Sequence, residues 1–286
     1  MRLISFRFGQ EQHIGIRMDA GILDLNIASN DLPMDMISFL NLGKQGILQA
    51  QKMLSSFKNE WILAEDEVEL LAPVPNPGKI LCIGHNYSGH IGIGKTELPE
   101  YPNLFCKTGN TIIADQQAII IPQASDQADF EAELMVVIGK RAYCVSEKEA
   151  EECIAGYTLF NDVSARDYQK RTSQWMLGKC FDTFGPMGPD LVTPDEIPDL
   201  YQLELELRVN GVLKQKINTD KMIFSAPFLI SYISQVMTLE VGDVIATGTP
   251  AKLPEAAARK QFLQDGDIVE MSIEKLGVLQ NPVRKT

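Results

Sequence analysis

The chain has 286 residues, of which 45% are hydrophobic and 22% charged, a composition that fits a water-soluble globular protein with one large domain or a small one beside a larger one. Its formal net charge of −12 at pH 7 argues against nucleic acid and anionic membrane surfaces as partners, and no uninterrupted apolar run approaches the length of a membrane span. Residues 1–9 lack the apolar core of a signal peptide, and the five cysteines, Cys82, Cys106, Cys144, Cys153 and Cys180, include no C-x-x-C pair, so the expected setting is a cytoplasm with reduced thiols.

Residues 1 to about 70 read as a small module. Segments 3–8, 13–17 and 21–25 have the length and residue types of short strands separated by turns. Segment 36–54 and the stretch near Trp61 are more helical. Pro73, Pro75 and Pro77 then exclude both a continuing helix and a central strand, which sets a boundary between a unit at 1–72 and a unit at 77–286. The larger unit is rich in short strands: 79–83, 118–122, 203–209 ahead of an Asn210-Gly211 hairpin turn, 244–246 and 268–273. Two helices are marked. Ser146-Glu147-Lys148-Glu149 is a capping box that opens one ending near Gly156, and Ser225-Ala226-Pro227 opens another running to about Met237. Strands outnumber helices and do not alternate with them regularly, so the expected class is α+β and strand-dominated, not a doubly wound sheet.

The residues able to carry chemistry begin with Glu131 and Glu133, in Asp129-Phe130-Glu131-Ala132-Glu133-Leu134. On a strand these two carboxylates share a face. There they repel each other and are costly to desolvate. A third acid, Asp162, follows the apolar stretch 157–160. Three carboxylates with no Cys or His nearby suit a hard cation and not zinc; the alternative is a strand with two acids on its solvent face. Arg166 and Gln169 lie four and seven positions after Asp162, on one face if this stretch is a helical turn. They would clamp an anion, or Arg166 would simply pair with Asp162 or Asp167. Lys179 stands among Trp175, Phe181 and Phe184, either partly buried and holding an anionic group or snorkelling over rings. The turn Thr247-Gly248-Thr249-Pro250 offers amides and hydroxyls to an oxyanion. His90, on a segment that also holds His85, is a candidate general acid or base, or a surface histidine.

Taken in order, several segments resemble the fumarylacetoacetate hydrolase superfamily: 83–90 (IGHNYSGH), 129–140 (DFEAELMVVIGK), 155–169 (AGYTLFNDVSARDYQ), 174–189 (QWMLGKCFDTFGPMGP), 209–215 (VNGVLKQ), 220–250 (through VIATGTP) and 274–283 (EKLGVLQNPV). The resemblance implies a mixed β-sandwich roll for the catalytic domain, a small N-terminal α/β domain and assembly as a homodimer. It implies that Glu131, Glu133 and Asp162 ligate Mg²⁺ or Mn²⁺, with Ca²⁺ an option in crystals. Lys179 matches the active-site lysine, Arg166 and Gln169 match substrate-contacting positions, and Thr249 matches the threonine at the substrate carboxylate. One departure stands out. Many members pair the lid histidine with a glutamate three residues on, and here His90 is followed by Ile93. Glu97 and Glu100, the nearest acids, and Glu255 are the ones left to orient His90, without which an imidazole is a poorer base.

The resemblance implies an enzyme acting on a small anionic 2-oxo acid through a stabilised enolate. The leading expectation is metal-dependent C–C hydrolysis of a 2,4-dioxo acid, an acylpyruvate or a 3-deoxy-2,4-dioxo sugar acid, with His90 and Lys179 as catalytic groups. A decarboxylase, isomerase or hydratase of a 2-oxo acid is the alternative on the same site. A non-catalytic metal- and oxo-acid-binding homologue is the alternative from outside enzymology.

Overall fold

A computed structural model of the protein describes residues 1–88, 98–259 and 261–286. Among these, two sheets hold most of the strands. The twelve-stranded sheet runs Ile62–Leu63, Gly21–Asp24, Glu11–Met18, Arg2–Phe8, Gly185–Val192, Ile154–Asn161, Ala132–Ile138, Val244–Ala246, Ile80–Gly84 and Asn103–Lys107, with two short strands paired off this path. The five-stranded sheet runs Val212–Asn218, Glu204–Val209, Ile268–Ile273, Gly277–Lys285 and Ile119–Ile121. Both are mixed. Val244–Ala246 lies parallel to Ile80–Gly84, and Gly277–Lys285 parallel to Ile119–Ile121. The class is α+β and strand-dominated, as the sequence implies.

The strand Ala132–Ile138 is buried along its whole length. Its two faces enter different cores, because side chains alternate along a strand. Leu134, Val136 and Ile138 join Leu205, Leu207, Val269, Met271 and Leu279 of the five-stranded sheet. Met135 and Val137 join Leu3, Ile14, Leu23, Met36 and Phe39 from the first forty residues. Each such side chain contributes roughly 1.5–3 kcal/mol of burial. The N-terminal strands are also continuous with the larger sheet, since Arg2 is in register with Val192. Arg2 and Arg17 clasp the buried Asp190 from either side, at 2.7 and 2.8 Å, which supplies the counter-charge that a buried carboxylate needs.

Two helices are shorter than their sequence signals suggest. The Ser146 capping box is present, but its helix is only Glu147–Glu151. Gly156 instead lies inside the strand Ile154–Asn161, hydrogen-bonded between Ala132–Ile138 and Gly185–Val192. A sheet partner on each side outweighs the local helical preference of this stretch. The helix opened by Ser225 is Ala226–Ser234 and ends before Met237.

Candidate active site

Register assembles the acids. Ala132 pairs with Asn161 and Glu133 with Phe160, so Asp162 falls beside Glu131 across the same ladder. The Asp162 amide donates to the Glu131 carbonyl at 2.9 Å, and the Asn161 side chain accepts from the Glu131 amide at 3.0 Å. Glu131, Glu133 and Asp162 each offer an oxygen, and these oxygens all lie within 4.8 Å of one another. All three residues are buried, Asp162 completely.

Cations surround two of the three. Lys179, on the helical turn Met176–Lys179, donates to Glu131 Oε2 at 2.7 Å and to Asp162 Oδ2 at 2.5 Å. Lys107, at the end of Asn103–Lys107, donates to Asp162 Oδ1 at 2.7 Å and to the Val163 carbonyl at 3.1 Å. Arg166 reaches Glu131 Oε1 at 2.5 Å and Asp129 Oδ2 at 2.8 Å. Burial by itself raises the Glu131 carboxyl, but Arg166 and Lys179 outweigh it and hold the group well below the usual carboxylate range. Burial likewise opposes the Lys179 charge, and Asp162 with Glu131 reverses this and raises it. Lys179 is therefore a firmly held ammonium.

Glu133 is different. Among the described residues no cation pairs with it, and its hydrogen-bond donor is the Gly248 amide at 2.7 Å. Burial first, then the charges of Asp162 and Glu131, push its carboxyl well above the ordinary value. Gly248 sits at φ +106°, where a Cβ would stand 2.8 Å from Asn86 Cβ and 2.9 Å from the Ile83 carbonyl. Glycine is what brings this amide to the acid. A buried, unpaired carboxylate beside two others forms an all-oxygen donor set with the spacing of a hard divalent cation site. The residues present fit such an ion.

Glu131 and Glu133 open onto a cavity of about 360 Å³, with Asp162 fully buried behind them. Glu131, Glu133, Arg166, Gln169, Lys179 and Thr249 are among its polar lining, and Ile83, His85, Phe105 and Trp175 line it as well. Thr249 accepts a hydrogen bond from Gln215 at 2.9 Å, and Gln169 accepts one from Arg166 at 2.9 Å. Arg166–Gln169 is a helical turn, but Asp162 is not on it: the short strand Ser164–Ala165 intervenes. The Arg166 partners are accordingly Asp129 and Glu131, not Asp162 or Asp167; Asp167 instead accepts from Ser125 at 2.6 Å.

Glu255 is not brought to the cavity lining. It is exposed on the helix Pro254–Arg259 and borders a separate depression with Leu213 and Leu253. His90, Ile93 and Glu97 lie outside the described residues. Sequence reasoning missed Lys107 and the role of Asp129, and it marked Trp175 only as a neighbour of Lys179. Lys107 ends an apolar run, Leu104-Phe105-Cys106, and nothing local separates it from a solvent-facing strand end. Asp129 belongs to the same acidic segment as Glu131, but its role of bracing Arg166 together with Lys252, 2.5 Å away, depends on two distant elements.

Comparison with known proteins gives this arrangement its context. Residues 79–284 match the model of the fumarylacetoacetate (FAA) hydrolase C-terminal family, and the chain belongs to that family of enzymes. It is 42% identical over 289 aligned residues to oxaloacetate tautomerase fahd2, mitochondrial, of Xenopus laevis, covering 99% of this chain and 90% of that protein. It is 39% identical to the human oxaloacetate tautomerase FAHD2A, mitochondrial, covering 99% of this chain and 91% of that protein. The solved maleylpyruvate hydrolase of Sphingobium sp. SYK-6, in complex with manganese (II) ion and pyruvate, superposes with a TM-score of 0.83 at 27% identity, over 100% of this chain and 99% of that one. The expected cytoplasmic location is corrected by the relatives, which are named mitochondrial. The expectation rested on free thiols and on the polar character of residues 1–9, and neither feature separates one reducing compartment from another.

Proposed function

We propose that the protein is a keto–enol tautomerase of a short 2-oxo acid with a second carboxylate, with oxaloacetate as the test substrate. The observation that carries this reading is the charge set of the cavity, where Lys179 and Arg166 converge on Glu131 and Lys179 also holds Asp162. It is a constellation suited to an enolate and its adjacent carboxylate. Two further points support it. The full-length likeness to oxaloacetate tautomerases is one. The other is that Glu255, one acid proposed to orient a water-activating base, lies away from the cavity.

Tautomerisation needs only that a proton leave C3 and one reach the C2 oxygen. Arg166 grips the substrate carboxylate, and its hold on Asp129 fixes the guanidinium plane. The Lys179 ammonium faces the oxygen on which charge develops and keeps a proton there. Phe105 and Trp175 give the cavity an apolar wall, and a lower local dielectric strengthens these interactions. Mg²⁺ or Mn²⁺ held by Glu131, Glu133 and Asp162 would supply Lewis-acid polarisation of the oxo acid. Proton transfer at C3 is proposed here for His90, which the family resemblance marks as the lid histidine that activates water in many members; assembly into a homodimer is proposed on the same resemblance.

C–C hydrolysis of a 2,4-dioxo acid is the second reading, favoured by the likeness to maleylpyruvate hydrolase. One experiment separates them. Enol absorbance is followed with oxaloacetate, and product release with an acylpyruvate, each with Mg²⁺ and with chelator. Rapid enol–keto exchange without cleavage supports the tautomerase. Cleavage of the acylpyruvate with no acceleration of exchange would replace it with the hydrolase.

A further inference from the structure

We propose that His85 is the specificity-determining residue that receives the far carboxylate of the substrate. This rests on the reading of the cavity as a 2-oxo acid site and deepens it.

Three aromatic contacts place His85. Lys179 Nζ lies 4.9 Å from the centre of the Phe105 ring. Phe105 meets Trp175 edge-on at 5.4 Å, and Trp175 meets His85 edge-on at 5.5 Å. Rings thus pave one wall from Lys179 outward, and His85 ends it, exposed and still lining the cavity. The reacting end of a 2-oxo acid belongs with Lys179 and Arg166. A second carboxylate points away from them along this wall, and the wall itself is apolar until His85.

The backbone of the turn that carries His85 is held in place. His85 has φ +60°, a left-handed conformation that few non-glycine residues adopt and that persists only where neighbours enforce it. Asn86 does so. Its side chain donates to the Thr247 carbonyl at 2.7 Å and the Phe224 carbonyl at 3.0 Å, and accepts from the Phe224 amide at 2.7 Å. Its own carbonyl accepts from Ile223 at 2.8 Å. The same turn is thereby tied to the segment carrying Gly248 and Thr249. An N–H donor on an anchored turn, lining the same cavity as Lys179 and Arg166, is suited to select a dianion over a monoanion. Lys170 also lines the cavity and is exposed, and it is the rival donor.

The test compares oxaloacetate with its 4-methyl ester, which keeps the reacting end and loses the far charge. In His85→Leu the KM for oxaloacetate should rise about tenfold, the loss of one charge-assisted hydrogen bond, with kcat within about twofold and the KM of the ester unchanged. His85→Gln, which keeps an N–H donor, should recover most of the loss. Calorimetry with Mg²⁺ and 3,3-difluorooxaloacetate, which has no C3 proton, reads recognition without turnover. Its affinity should fall about tenfold in His85→Leu while that of oxalate holds. If that split appears but no variant or wild type exchanges the enol, the tautomerase reading fails and the His85 assignment stands. Equal shifts for diacid and ester, an effect confined to kcat, lost oxalate binding, or the same selective loss in Lys170→Met with none in His85→Leu would each overturn it.

Discussion

Lys107 Nζ donates to Asp162 Oδ1 at 2.7 Å and leaves the other oxygen, Oδ2, to Lys179 at 2.5 Å. Asp162 is fully buried, so its charge is tolerable only because two ammonium groups share it. The two lysines come from segments more than seventy residues apart in sequence, which ties the edge strand Asn103–Lys107 to the Met176–Lys179 turn.

Replacing Lys107 with methionine removes one of these cations and keeps the volume. The expected result is a loss of about 3 kcal/mol of unfolding free energy, as for one partner of a buried pair. Denaturant unfolding of the metal-free protein measures it. An unchanged midpoint would mean that Lys179 alone satisfies Asp162.

Glu133→Gln should behave differently. Burial and the neighbouring acids push this carboxyl well above its ordinary value, which favours the neutral acid that glutamine resembles. Unfolding free energy is expected to stay within about 1 kcal/mol of the wild type, the scale of one neutral hydrogen bond. Affinity for Mn²⁺ should nonetheless fall on the order of 100-fold. Calorimetric titration and thermal unfolding on one sample decide this, and a large stability loss with metal affinity retained would refute it.

The same acid predicts proton release on metal binding. The sign follows from the direction of its shift. With its value raised above the ordinary carboxylate range, Glu133 holds a proton at pH values where a free glutamate has lost it. Ligation needs the ionised form, so binding expels that proton. Affinity therefore rises with pH across this window, by at most about tenfold per unit for one proton. Titrations in two buffers of different ionisation enthalpy should give apparent enthalpies that differ. Identical enthalpies would show that Glu133 is already ionised.

Gly248→Ala tests the amide that meets Glu133. A Cβ there stands 2.9 Å from the Ile83 carbonyl, on a backbone at φ +106°. The strain is expected to cost about 1–3 kcal/mol, with weaker metal binding because the amide must shift. Normal stability with normal Mn²⁺ affinity would show that the turn relaxes freely.

Much of the site was legible along the chain. Glu131 and Glu133 two apart on an apolar segment imply a shared face, and both do line the cavity. The family motifs mark Lys179, Arg166, Gln169 and Thr249, and the structure places all four around the same space. The α+β class follows from strand-length segments that fail to alternate with helices. Local reasoning erred where a stretch was decided by its sheet neighbours: Gly156 lies in a strand, and Asp162 stands apart from the turn that carries Arg166.

What the sequence determined by itself was the inventory: which acids, cations and small residues are available, and which face of a strand each takes, because side-chain alternation is a property of a few consecutive residues. Only the tertiary structure decided which of them meet. Asp162 joins Glu131 through strand register, Lys107 and Lys179 converge from different elements, and His85 is held by Asn86 bonds to residues more than a hundred positions away. Such encounters are set by strand order and by the cores that fix it, and no window of neighbouring residues contains that information.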